Sequence, residues 1–500
     1  MNILVSVTDK NGLAPFITGI LPKVEKIYAT GSTQKYLVDH GIDAMNTSTL
    51  TGFDALLGGR VKTLHPAIFA GILAQSDEQS SKELQEKGFP RFHLVICNLY
   101  PFHEKAASGN VEEMVENIDI GGVSLIRAAA KNFSEVIIAS DPSDYIGISE
   151  ELNQTGQVSM ESRKRLALKA FRRMAIYDIE IYQKLYETFY NSVPKTLFKI
   201  GFEGKELRYG ENPQQRGFIF SDGTSMGIAN ATIIQGKELS YNNLMDSDSA
   251  YETVLEFQEP TAVVIKHNTP CGVASAPSLH EALRKAIDAD SESAYGSVIA
   301  LNGEFDAECF REFSKLFVEV IIAPSYSQEA LEMLKKKKNL RVLQVRMSHD
   351  ESLRIRSISN GLLAQERLNS SHGALELKSG DYPDAETLKD LEFAWKVVAH
   401  CRSNAIVIAS HGQTLGIGAG QTSRVGAMRI ALERAGDKSR NAVLASDAFF
   451  PFYDNVEIAG QAGVSHIIQP GGSIRDQEVI EKAQELGITM LFTSTRVFLH

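Results

Sequence analysis

Cysteine is scarce in this chain and poorly spaced for metal or disulfide chemistry. The 500 residues include four, Cys97, Cys271, Cys309 and Cys401, with no C-x-x-C pair among them. That spacing excludes a familiar zinc or dithiol motif and fits a reducing compartment without disulfides. Positive charge is outnumbered, 51 Lys and Arg against 62 Asp and Glu, for a net charge of −11. Such a balance argues against a general binder of nucleic acid or of anionic membranes, yet leaves room for a small anion held by local positive charge. No apolar run reaches the roughly 18 residues of a membrane span. The stretch Met1-Asn-Ile-Leu-Val-Ser-Val-Thr-Asp-Lys10 enters a strand at once, with no basic leader before a long apolar segment. The expectation is a cytoplasmic protein without nucleic-acid or membrane partners.

Apolar residues make up 43% and charged residues 23% of the chain, as in ordinary globular proteins. The length exceeds what one core serves and predicts two to four domains. The one dense basic run, Lys335 to Lys338, falls at the end of a predicted helix and reads as a solvated face.

From Met1 to about Ser192, strands and helices alternate, the pattern of a mainly parallel α/β sheet. Predicted strands are Ile3–Val7, Ile27–Ala29, Leu94–Cys97 and Val136–Ala139, and ligands of such sheets bind beyond the carboxyl ends of the strands. Gly31-Ser32-Thr33 follows the second strand. It suits a phosphate at a helix start, and its hydroxyls are equally ordinary helix caps. Asp119-Ile-Gly-Gly122 before a helix to Lys131 has the same ambiguity. Gly58-Gly-Arg-Val-Lys-Thr63 fails as a P-loop, because Val61 stands where the glycine before the lysine must be. It remains a basic glycine loop with Arg60, Lys62 and His65. From Glu161 to Tyr190 an apolar stripe (Leu166, Ala170, Phe171, Met174, Ile181, Leu185, Phe189) predicts a helix packed in the core or between domains. Asn191-Ser-Val-Pro194 supplies the boundary.

In the second region, Lys195 to His500, the central stretch is Ala262 to Ala274. The β-branched run Val263–Ile265 reads as a buried strand, which Pro270 and Gly272 break soon after. Lys266 and His267 stand at its end, a stable cation beside a group that titrates near neutrality. Successive strand residues face opposite ways, so the two share one site only where the backbone leaves regular pleating. The plainer reading is a solvated lysine and a hydrogen-bonded histidine. Arg208 offers an anion fork and Tyr209 a stacking surface. Ala405–Ala409 ending in Ser410-His411 echoes the Lys266-His267 stretch and hints at two related halves. Gly416-Ile-Gly-Ala-Gly420 lacks the dinucleotide spacing and the acidic residue that should follow, so a Rossmann site is rejected. Ser446-Asp-Ala-Phe-Phe-Pro-Phe-Tyr-Asp454 reads as core or as the wall of a flat heterocycle site.

Taken in order, these motifs resemble one family over the whole length: the bifunctional enzymes of purine biosynthesis that couple AICAR transformylase to IMP cyclohydrolase. The resemblance rests on Gly58–Pro66, Asn98-Leu-Tyr-Pro-Phe102, Asp119–Gly122, Arg208-Tyr-Gly-Glu-Asn-Pro213, Lys266-His267 with Pro270-Cys-Gly272, Gly416–Gln421, Ser446–Pro451 and Gln469-Pro-Gly-Gly-Ser473. It implies a methylglyoxal-synthase-like cyclohydrolase domain over residues 1–192. A transformylase region over 195–500 would follow, a duplicated cytidine-deaminase-like unit without zinc. It also implies 10-formyltetrahydrofolate as cosubstrate, a homodimer with transformylase sites at the interface, and a monovalent cation near Asp447 and His500.

Carried over residue by residue, the resemblance assigns formyl transfer to Lys266 and His267 and ring closure to Lys62, Tyr100, Asp119 and Lys131. Ser6, Lys10, Gly31, Ser32, Thr33, Arg60, Thr63 and Asn98 would bind the nucleotide of the first site. Arg208, Tyr209, Asn242, Glu319, His411, Phe449 and Arg496 would bind that of the second, with Arg424, Phe452 and Asp454 near the folate. Gln214, Arg402, Tyr453 and Ser297 depart from the family pattern, Tyr453 placing a folate-glutamate contact in doubt. The rival reading is a methylglyoxal-synthase-like lyase fused to a folate- or nucleotide-binding domain.

Overall fold

The computed structural model describes residues 1–100, 102, 110–192, 203–221, 226–349, 353–368 and 370–500. Pro101 of the Asn98–Phe102 motif, and the boundary expected at Val193-Pro194 before Lys195, lie outside the described residues. The chain forms two compact units, Met1–Ile200 and Gly201–His500.

In the first unit, β1 (Asn2–Ser6), β2 (Lys26–Ala29), β3 (Met45–Asn46), β4 (Leu94–Cys97) and β5 (Ile137–Ala139) form a parallel sheet in the order β3-β2-β1-β4-β5. Ile3 pairs with Ile27 on one side and Leu94 on the other. The strands are covered on both faces, which is why they read as unbroken apolar runs: Ile3, Leu4, Val5, Leu94, Val95 and Ile96 are all fully buried. Each such side chain contributes about 1.5–3 kcal/mol on burial. The order reverses between β1 and β4, so the loops after those strands open on the crevice where ligands of such sheets sit.

The long helix Met160–Tyr190 begins where the Ser159 hydroxyl caps Ser162 N–H and ends at Asn191 in the left-handed region. Of its stripe, Leu166, Ala170 and Met174 are buried in the core of the first unit, whereas Phe171 and Phe189 are exposed.

The second unit holds two separate hairpins, β6 (Glu203–Leu207) with β7 (Gly217–Ser221), and β14 (Arg354–Ile358) with β15 (Gly361–Gln365). The remaining strands build one twelve-stranded mixed sheet. They are β8 (Thr232–Gln235), β9 (Thr261–Lys266), β10 (Thr269–Ser275), β11 (Ser297–Leu301), β12 (Val318–Ala323), β13 (Arg341–Gln344), β16 (Glu376–Ser379), β17 (Ile406–Ser410), β18 (Gln413–Gly418), β19 (Val443–Ser446), β20 (His466–Gln469) and β21 (Thr489–Phe492). Their order, β16-β21-β20-β19-β17-β18-β10-β9-β11-β12-β13-β8, is a palindrome of two equivalent halves joined at the antiparallel β10–β18 contact. The echo between the two histidine stretches is therefore a duplication of structure.

Pro270 and Gly272 do not break the chain, as the sequence reading expected. They lie inside β10, where the pairing with β9 shifts register, and such a bulge is where a sheet tolerates proline. Gly416 explains the glycine motif that resembled a dinucleotide fingerprint. A Cβ there would lie 2.0 Å from the Ala431 carbonyl oxygen of the helix Arg424–Ala435, so the glycine lets that helix lie directly on β18.

Candidate active sites

In the first unit the polar residues gather at the carboxyl edge of the sheet. After β1, Thr8 and Asp9 N–H donate to Asn98 Oδ1 at 2.7 and 3.0 Å, and Asn98 Nδ2 returns a bond to the Asp9 carbonyl at 2.8 Å. Thr33 Oγ1 donates to the Val7 carbonyl at 3.1 Å, and Thr30 Oγ1 to Ser6 Oγ at 3.2 Å. Buried Asn98 and Thr33 thus tie the loops after β4 and β2 to the loop after β1, while Gly31 and Ser32 stay exposed at the helix start. Lys10 Nζ lies 3.3 Å from the Thr8 carbonyl.

A second group stands against this edge. Asp119 Oδ1 accepts Gly122 N–H at 2.7 Å, and its own N–H donates to Tyr177 OH on the long helix at 2.8 Å. Burial raises the Asp119 pKa above the ordinary carboxylate value, against the pull of the Gly122 amide and the positive charge of Lys62. Buried Thr63 lies beneath Gly121, while Lys62 and Tyr100 are exposed. Arg60 is held by Glu116 in an exposed ion pair. Lys131 is not brought to this group within one chain. It ends the helix Gly121–Lys131 whose start Asp119 precedes, and at 1.5 Å per residue the two ends lie about 15 Å apart. Sequence reading missed Tyr177, whose helical spacing looks like packing.

In the second unit β9 and β10 are joined by a two-residue turn, His267 and Asn268, with φ of 54° and 58°. This is the departure from pleating that lets neighbours share a site. Lys266 and His267 both line one cavity of about 270 Å³, with Asp290, Ser293, Ile417 and Arg434 on its other walls. Lys266 Nζ donates to the Tyr295 carbonyl at 2.8 Å, which fixes the ammonium beside the turn. Beneath the turn, Asp246 on the helix Tyr241–Val254 accepts Asn268 N–H at 2.7 Å. Nothing in the sequence marked Asp246, Asp290 or Arg434.

The other expected residues are more scattered. Arg208 lies against the Tyr209 ring at 5.5 Å, and Asn242 Nδ2 donates to the Glu211 carbonyl of the same segment at 3.2 Å. Glu319 on β12 accepts Arg341 at 2.8 Å. His411 turns the equivalent hairpin and meets Glu386 at 3.1 Å, exposed. Phe449 and Phe452 are part exposed, Phe452 beneath the Arg475 guanidinium at 4.7 Å. Asp454 accepts both Asn455 nitrogens, and Arg496 covers the Phe498 ring at 4.6 Å. Arg424 faces inward: it is buried and bonded to Asp447, Ser446 and Asn404. Among the described residues no group of three His, Cys, Asp or Glu is placed to hold a metal ion, and no helix is long and apolar enough to cross a membrane.

Comparison with known proteins bears on both units. A family model described as "AICARFT/IMPCHase bienzyme" matches residues 129–434, and one described as "MGS-like domain" matches residues 12–124. The bifunctional purine biosynthesis protein PurH of Anoxybacillus flavithermus is 44% identical over 506 residues, covering 99% of each chain. The protein of that name from Ruminiclostridium cellulolyticum is 43% identical over 509 residues, again 99% of each. A solved structure described as "Crystal structure of ForH" is 36% identical over 38% of this chain and 97% of its own, with a TM-score of 0.35. The chain belongs to the AICARFT/IMPCHase bienzyme family. It is a bifunctional enzyme of purine biosynthesis. It transfers a formyl group from 10-formyltetrahydrofolate to AICAR and closes the formylated product to IMP with loss of water. The full-length matches leave the fused-lyase alternative without support.

Proposed function

We propose that the two reactions are divided between the units, ring closure over residues 1–192 and formyl transfer over 195–500. The observation that carries the second assignment is that Lys266 and His267 line one cavity from one bent hairpin. The aminoimidazole nitrogen of AICAR is a poor nucleophile because its lone pair is delocalised, so its proton must leave as the new C–N bond forms. His267 is the base for that proton, a role worth about 10²–10⁴ in rate. Lys266 stabilises the oxyanion of the tetrahedral adduct. When the bond from the formyl carbon to the folate nitrogen breaks, that nitrogen takes up a proton, which balances the one removed from the amine. Arg208 and Tyr209 bind the nucleotide, and Phe452 and Asp454 stand toward the folate.

For ring closure the carboxamide nitrogen attacks a formyl carbon already in the same molecule, so enforced proximity supplies much of the rate. The protein's part is charge and proton handling. Lys62, whose field reaches Asp119, stabilises the developing alkoxide, and Asp119 and Tyr100 move protons toward the departing water. Ser6, Gly31, Ser32, Thr33 and Asn98 form the nucleotide-binding edge.

The same reading carries a homodimer that completes the transformylase sites, and a monovalent cation near Asp447 and His500. Asp447 Oδ2 is buried without a hydrogen-bond partner, which fits a cation ligand. Sedimentation of the full chain tests the dimer; a monomer at assay concentration overturns it. The division of sites is tested by acylating lysines with and without IMP and mapping the modified peptides. IMP is expected to slow modification of Lys62 and leave Lys266 unchanged, and the reverse pattern overturns the assignment.

A further inference from the structure

We propose that Asp246 is the positioning residue for formyl transfer: it clamps the His267–Asn268 turn from below and so fixes the imidazole and the Lys266 ammonium relative to the reacting amine. The inference rests on His267 being the base of that reaction.

The turn needs a clamp. Both of its residues have left-handed φ, 54° and 58°, a conformation that crowds an L side chain and that two-residue hairpins of this hand usually fill with Asn-Gly. The equivalent turn in the other half of the sheet has glycine at its second position, His411–Gly412 with φ of 51° and 64°. The first half keeps the same turn without the glycine.

What the two turns share is a carboxylate underneath. Asp390, on the helix Ala385–Ala399, accepts His411 N–H at 2.7 Å and Gly412 N–H at 2.8 Å. Asp246 accepts Asn268 N–H at 2.7 Å, and the His267 amide also bears on it. Each aspartate stands 21 positions before its histidine. The device therefore belongs to the duplicated fold, and in the first half it carries a turn that glycine does not relax. The pairing is charge-assisted and partly shielded from water, the condition under which such bonds are strong. Burial raises the Asp246 pKa, opposed first by the hydrogen bond from the Asn268 amide.

Asp246 lies under the turn and is not among the residues lining the cavity. Its loss should disturb the placement of His267 while leaving the binding surface in place, and a shift of about 1 Å in a reacting group costs on the order of 100-fold. The test compares Asp246→Ala, Asp246→Asn, Asn268→Gly and the double variant Asp246→Ala/Asn268→Gly in the full-length enzyme. Formyl transfer and closure of supplied formyl-AICAR are measured separately.

Asp246→Ala is expected to lower kcat for formyl transfer about 30- to 100-fold. KM for both substrates should stay within about threefold, and ring closure should be unchanged. Asp246→Asn, which keeps a carbonyl acceptor for Asn268 N–H, should retain most of kcat. In the double variant, glycine takes the left-handed turn without help and should recover at least about tenfold of the loss. If Asp246→Ala does not fold, the double variant is judged against Asn268→Gly, and a kcat within about twofold of it supports the clamp. A kcat for Asp246→Ala within about twofold of wild type overturns the proposal, as does a loss that neither asparagine nor glycine repairs. His267→Ala is run in parallel. If it keeps formyl transfer, the assignment of the base fails and this inference with it; if it abolishes transfer while Asp246→Ala is silent, only the clamp fails.

Discussion

Arg424 and Asp447 are bonded to each other in the interior of the second unit. The guanidinium also donates to Ser446 Oγ at 2.9 Å and to Asn404 Oδ1 at 2.8 Å, which ties the start of the helix Arg424–Ala435 to the end of β19. Removing one partner of a buried pair leaves the other charge uncompensated, a loss of about 3–5 kcal/mol. Arg424→Met should therefore unfold the second unit at markedly lower denaturant concentration. Trp395, the single tryptophan and fully buried in that unit, reports the transition by fluorescence. The double variant Arg424→Met/Asp447→Asn should lose less than the sum of the single changes. An unshifted midpoint for Arg424→Met would mean the pair carries no weight.

Asp119 carries a stability cost at neutral pH. Its carboxyl pKa is raised in the folded chain, chiefly by burial, so the folded state holds the proton more tightly than the unfolded state does. The stability it contributes is fully present below the ordinary aspartate value of about 3.9 and is lost as pH rises through the raised folded value. Asp119→Asn should accordingly stabilise the first unit at pH 7. That gain should shrink as pH falls and vanish below about pH 4. Hydrogen exchange of β1 and β4 amides, variant against wild type at each pH, measures it. Ring closure should be lost in the same variant.

Lys62→Ala should leave an enzyme that makes formyl-AICAR and releases it unclosed. A coupled assay with AICAR and 10-formyltetrahydrofolate, following folate release and IMP separately, should show the first at the normal rate and the second reduced about 100-fold or more. IMP formed at the wild-type rate would remove Lys62 from the chemistry.

The strands of the first unit were legible because a parallel sheet buries both faces and writes itself as Ile3–Val5 and Leu94–Cys97. The bend at Lys266-His267 was legible as a requirement, since two pleat neighbours cannot otherwise share a site. Its form was not. The sequence placed the break at Pro270 and Gly272, whereas the chain turns two residues earlier and the proline sits in a bulge. Asp246 was invisible because an aspartate in a helix, 21 positions upstream, looks like any solvated acid. The resemblance puts Arg424 near the folate, whereas the fold turns it inward onto Asp447, 23 positions on, a pairing that no local pattern announces. Phe171 and Phe189 have core periodicity and lie exposed. Local pattern carries the elements, and the contacts between distant segments decide what each side chain is free to do.

The central claim is that formyl transfer depends on the imidazole at the β9–β10 turn while ring closure takes place elsewhere in the chain. It is tested most directly by His267→Ala, assayed once with AICAR and 10-formyltetrahydrofolate and once with formyl-AICAR supplied. The account predicts loss of formyl transfer by at least about 100-fold, with IMP formed from formyl-AICAR at the wild-type rate. Loss of both activities together, or retention of formyl transfer, would contradict it.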